Sequence, residues 1–170
     1  MEIGDLSEKE SMEYLISKRE INEEEAKKLY KLVGGRIVEL KTVADDFLAK
    51  QSFEGMFGLT LKFNEFMQLT SNFISADIKK QLFMKVEDKF RTAKLLENYE
   101  HHEVGKRIIK ALSDSDSKEL SRIEYDKFFK EPEGANKVLE SNVFAYHPEK
   151  NTVTFQSRSV ECYVADIFLK

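Results

Sequence analysis

Asn142–Phe168, NVFAYHPEKNTVTFQSRSVECYVADIF, is the stretch whose reading decides the fold. Phe144 and Tyr146 alternate with Ala145 and His147, and Val153 and Phe155 alternate with Thr152 and Thr154. A period of two marks two strands with opposite faces. Pro148-Glu149-Lys150-Asn151 supplies the turn between them. Ser157 or Ser159 then caps a helix in which Val160, Tyr163, Val164, Ile167 and Phe168 fall at i, i+3, i+4, i+7 and i+8. That spacing makes one apolar face. The stretch predicts a β-hairpin feeding an amphipathic helix.

Working outward, the residues before it predict more helix. Glu133–Ser141 turns Ala135, Val138 and Leu139 inward. Pro132 stops a preceding short helix over Glu119–Lys130, which carries Ile123, Phe128 and Phe129. Ser113-Asp114-Ser115-Asp116-Ser117 is a polar loop without the length of a linker between independent domains. Glu103–Leu112 predicts a helix through Val104, Ile108, Ala111 and Leu112. Ala76–Asn98 predicts a long one striped by Ile78, Leu82, Val86, Phe90, Ala93 and Leu96. Helix, short helix, short helix, hairpin, helix is the element order of a winged helix-turn-helix. Glu133–Ser141 takes the recognition position and Phe144–Phe155 the wing.

The N-terminal third predicts a small helical bundle. Ser7 and Glu10 form a capping box, so a helix starts there and runs to about Lys18. Asn22 caps a second helix, with Ile21 stapled to Ala26, three glutamates in the first turn, and Gly34 as its left-handed C-terminal cap. A third begins at Arg36 and buries Ile37, Leu40, Ala44, Phe47 and Leu48. Phe53–Ile74 matches both a strand and a helix template, and the reading adopted is helix. Its plain role is an apolar connector folded onto the bundle. The sharper alternative is self-association or partner binding through Phe53–Phe73. The expected organisation is a lid-like helical bundle over 1–52, a connector with a long helix over 53–97, and a winged helix over 98–170.

Composition agrees with a mainly α chain. Of 170 residues, 34% are charged and 41% hydrophobic, with 7 Gly and 2 Pro, which suits helices with solvated outer faces. The formal net charge of −4 gives no electrostatic footprint for non-specific nucleic-acid binding. One cysteine, Cys162, allows no intramolecular disulfide and fits a reducing compartment. Neither a signal peptide nor an apolar run of about 20 residues is present, so the expectation is a cytoplasmic protein, with the nucleus as alternative, and no membrane partner. The abrupt helical start suggests a fragment of something longer.

Three stretches carry a family resemblance. Thr152-Val-Thr-Phe-Gln-Ser-Arg-Ser-Val-Glu-Cys-Tyr-Val resembles the strand, F-x-S and amphipathic-helix ending of the winged-helix module in STAND-type and archaeal-type AAA+ P-loop ATPases. Leu6-Ser-Glu-Lys-Glu-Ser is similar to the start of that family's helical lid. Leu32-Val-Gly-Gly-Arg-Ile-Val-Glu-Leu is similar to its L-x-G-G-x-P-x-x-L motif, which opens a lid helix facing the nucleotide. The resemblance covers roughly 2–50 and 99–168. It implies that Gly34, Gly35 and Arg36 would face nucleotide if a core domain were present. Ile37 stands where the motif has proline, and Phe53–Phe73 has no counterpart in the family. No G-x-x-x-x-G-K-[ST] occurs, so the loop that cradles phosphates is missing. The chain by itself is therefore expected not to be an ATPase of that family.

Other candidate sites read as structural. Gly34-Gly35-Arg36 also fits a helix cap followed by a solvated arginine. The adjacent His101 and His102 point about 100° apart on a helix and do not chelate as an i, i+4 pair does; His147 stands alone. Cys162 lies beside a buried stripe with no base near it. The carboxylates of Glu23–Glu25, Asp45, Asp46, Asp114 and Asp116 sit in caps, solvated faces or a polar loop. From Asn98 onward 11 Lys and Arg face 13 Asp and Glu. A DNA reader would need several phosphate-neutralising cations at the recognition helix. Lys127, Lys130, Lys137, Lys150 and Arg158 are the set that could form such a contact surface.

The expected protein is thus a non-catalytic regulatory or interaction module resembling a STAND-like lid plus winged helix, with no cofactor or metal site. Its expected partner is a protein or an ATPase core. A DNA-binding winged-helix regulator is the alternative, and an enzyme ranks third.

Overall fold

The computed structural model describes residues 5–57 and 63–169, with side chains described outside 52–75. The chain is mainly helical with a small antiparallel sheet near its C-terminus. It divides into two units, Met1–Leu82 and Phe83–Lys170. Their boundary falls inside a helix and within the expected 53–97 connector. The side chains of Phe53–Phe73, and any self-association through them, lie outside the described residues.

In the first unit, Ser7 and Glu10 form the capping box at the start of α1 (Glu8–Glu13). The following turn, Tyr14–Lys18, widens to a π-helix, and the Arg19 N–H reaches back to the Tyr14 carbonyl at 3.1 Å. Widening lets the chain turn through Glu20, at φ 56°, and bury both Leu15 and Ile21. Asn22 then caps α2 (Glu23–Val33) by accepting from the Glu25 N–H at 3.0 Å. α3 (Ile37–Phe57) follows. Leu15, Leu29, Leu40 and Phe47 form the centre of this core, joined by Ile78 and Leu82 of α4 (Phe63–Thr92).

Gly34 does end α2, but at φ 67° and ψ −153° rather than in the left-handed helical region. Its extended ψ carries the chain onward to Gly35, whose carbonyl accepts from the Leu6 N–H at 2.8 Å. A Cβ on Gly35 would sit 1.8 Å from the Leu6 carbonyl oxygen.

The second unit begins in the last turns of α4. The expected helix to Asn98 stops at Thr92 instead. Lys94 takes the left-handed position at φ 56°, with its N–H on the Arg91 carbonyl and the Leu95 N–H on the Phe90 carbonyl. Those two bonds make a Schellman cap, and Leu95 packs into the same core as Phe90. α5 (His102–Asp114), β1 (Leu120–Ser121), α6 (Arg122–Asp126) and α7 (Pro132–Glu140) follow. The hairpin is β2 (Phe144–His147) and β3 (Thr152–Phe155), and α8 (Arg158–Ile167) closes the unit.

The sheet has three strands, not the hairpin alone. Its order is β1-β3-β2, all antiparallel. Phe144 faces Phe155 and Tyr146 faces Val153, while Leu120 pairs with Val153 and Ser121 with Thr152. Asn151, at φ 51°, closes the Pro148–Asn151 turn. The core gathers Ile108, Tyr125, Val138, Phe144, Val153 and Val160. Tyr163 stands edge-on to Phe83 at 5.4 Å and tilted on Phe90 at 5.2 Å.

Two large apolar residues named from the sequence lie outside, one of them, Ile167, expected on the apolar face of the last helix. Ile123 is 64% exposed and Ile167 57%. In the one-turn helix α6 the buried position belongs to Tyr125, whose hydroxyl donates to the Ala135 carbonyl at 3.2 Å. Ser157 stands at the head of α8 without a side-chain cap bond, its hydroxyl paired with that of Ser159 at 2.8 Å.

Two predictions follow from these local contacts. Gly35→Ala should destabilise the first unit by about 3 kcal/mol through overpacking against Leu6. Amide exchange over 23–47 would show this, and unchanged protection would contradict it. The second concerns acid. The Glu10 carboxyl is held below its usual range by the Ser7 hydroxyl and then by the Ser7 N–H; Glu124 is held low in the same way by Ser121. A depressed carboxyl stabilises above its unfolded value of about 4.3 and loses that contribution as pH falls through its lower folded value. The melting temperature should therefore fall from about pH 5 to pH 3, less steeply in a Ser7→Ala, Ser121→Ala variant. Parallel curves would contradict the assignment.

Candidate functional site

The second unit holds a concavity of about 640 Å³ between the start of α5, the α6–α7 loop and α7. Its apolar wall includes Val104, Phe128 and Phe129. Pro132 sets the first residue of α7, where a missing N–H costs nothing, and so fixes where the loop ends. Gly134, two residues on, leaves the wall low: a Cβ there would meet Phe129 at 3.4 Å and His101 at 3.7 Å, ordinary contact distances.

Charges of both signs rim this groove. Lys94 pairs with Glu100 at 3.1 Å, and Lys137 with Glu133 at 2.9 Å. The partners shift each other: Glu100 is held low by the Lys94 ammonium, and Lys137 is held high by Glu133, through the hydrogen bond first and charge second. Arg107 lies 5.8 Å over the Phe128 ring and donates to the Phe128 carbonyl at 3.4 Å. Among the described residues neither Arg107 nor Lys130 makes an ion pair.

The five cations expected to form a contact surface are distributed, not gathered. Lys130 and Lys137 both line the groove; Lys127, Lys150 and Arg158 do not. Lys150 pairs with Glu119 at 3.4 Å, and Arg158 with Glu161. Lys127 lies close enough to Glu124 to lower that carboxyl slightly. Such exposed pairs add little stability. With Lys137 on Glu133, they nevertheless place a carboxylate beside four of the five cations.

Gly34, Gly35 and Arg36 sit at the α2–α3 junction. The close approach that requires glycine at 35 is made by the backbone of Leu6. Arg36 is half-buried, and its carbonyl accepts the Leu40 N–H at 2.8 Å. The histidines have structural partners. His102 Nδ1 lies 2.9 Å from the Leu95 carbonyl, His147 Nε2 lies 2.9 Å from the Thr154 hydroxyl, and His101 stands edge-on to Phe129. Cys162 is half-buried. No group of three or more metal-ligating side chains occurs among the described residues, and no described helix is long and apolar enough to cross a membrane.

Arg122 was not legible as a key residue. Its Nε spans both oxygens of Asp126 at 2.9 and 3.0 Å, and its Nη2 reaches Asn136 of α7 at 2.7 Å. Its backbone N–H bonds the Asn151 carbonyl in the hairpin turn at 2.9 Å. The guanidinium also lies 5.7 Å from the Tyr125 ring and 5.3 Å from that of Tyr146. One side chain thus ties α6, α7 and the hairpin together. The available signals were the Ser121–Glu124 capping box beside it and the Asp126 four residues on. Burial pushes the Tyr125 phenol above its ordinary range, with the Arg122 charge opposing in part.

No family model matches the chain, and neither a curated protein nor a solved structure matches it.

Arg122→Ala removes the charge-assisted bonds to Asp126 and Asn136 and should cost about 2 kcal/mol. The chain has no tryptophan, so circular dichroism during urea unfolding is the suitable readout. A midpoint equal to that of the unaltered chain would show that the clasp carries no stability.

Proposed function

We propose that the chain is a non-catalytic regulatory or interaction module that contacts a protein partner, and that its C-terminal unit is a winged helix. The observation that carries the protein-contact reading is the pairing of cations with the chain's own acids. Lys137, Lys150 and Arg158 are each matched by Glu133, Glu119 and Glu161. A protein that neutralises phosphates must offer cations whose counterions are released on binding. Here a carboxylate occupies that place and would be forced against the phosphates.

The winged-helix reading is supported by order and topology. Helix α5, strand β1, helices α6 and α7, hairpin β2–β3 and helix α8 follow one another, with strand order β1-β3-β2. α7 takes the recognition position, and it carries Glu133 and Glu140 beside Lys137. The resemblance to the lid and winged helix of STAND-like ATPases suggests that the partner is an ATPase core or a protein bound to one. The Gly34–Gly35 turn does not require a nucleotide to explain its glycines, since Leu6 already occupies the space above Gly35.

Mobility of duplex DNA across a salt series tests the choice of partner. The expected result is no retardation at physiological salt and only weak binding at low salt. Tight binding that weakens steeply with added salt would overturn the protein-contact reading in favour of a DNA-binding regulator. Turnover of ATP by the purified chain would overturn the non-catalytic one.

A further inference from the structure

We draw no further inference here: the strongest candidate, the groove between α5 and α7 walled by Val104, Phe128 and Phe129, has basic and acidic side chains interspersed along its rim, and nothing in the structure shows what covers it.

Discussion

The pairing of Leu120 and Ser121 with Val153 and Thr152 closes the C-terminal unit on itself. Apart from it, α5 to α7 and the hairpin are joined by side-chain packing, the exposed Lys150–Glu119 pair and the Arg122–Asn151 backbone bond. With it, the chain entering α6 is hydrogen-bonded to β3, and the next N–H, that of Arg122, reaches the hairpin turn. The Arg122 side chain extends the same tie to α7 through Asn136. The position of α7, and so the shape of the groove beside it, depends on these few polar contacts laid over the Tyr125–Phe144–Val153 core. The core supplies most of the stability, as buried apolar area does generally; the polar tie selects one arrangement of the elements.

That arrangement explains the surface. Helices short enough to sit on a three-stranded sheet expose much of their length, and the chain covers them with charges of both signs. Many are paired within a turn or two: Glu133 with Lys137, Glu161 with Arg158, Glu87 and Asp88 with Arg91. Such pairs are worth little individually in water. Their larger consequence is for partners, because a surface of alternating signs has no long-range field to draw in a polyanion. The groove fits this picture, with basic and acidic side chains interspersed around an apolar wall.

Much of this was legible in the sequence, and the parts that were not have physical reasons. Ser7–Glu10 and Asn22 announced two helix starts because capping is a local interaction. The hairpin was legible because period-two burial and a Pro-Glu-Lys-Asn turn reinforce each other. A two-residue strand such as β1 has no period to detect, and its existence is decided by β3. α6 is equally short, so one turn could not say whether Ile123 or Tyr125 would be buried. Lys94 hid the end of α4 by taking a left-handed position that glycine or asparagine would have advertised. For the candidate site, the cations Lys130 and Lys137 were legible, but their carboxylate partners and the groove were not. Those depend on how α5 meets α7, a long-range fact. The contact that requires glycine at 35 was not legible because its partner, Leu6, is far away in sequence.

β1 and Arg122 lock the helices and the hairpin into one cooperative unit. Native-state exchange of the Arg122 amide tests it most directly, since that N–H bonds only the Asn151 carbonyl across the clasp. The prediction is that Arg122 exchanges with the same opening free energy as Val153 in the middle of the sheet, as members of one cooperative unit do. Exchange of Arg122 at the rate of a free peptide while Val153 remains protected would contradict it, and would show α6 and the hairpin to be independent neighbours.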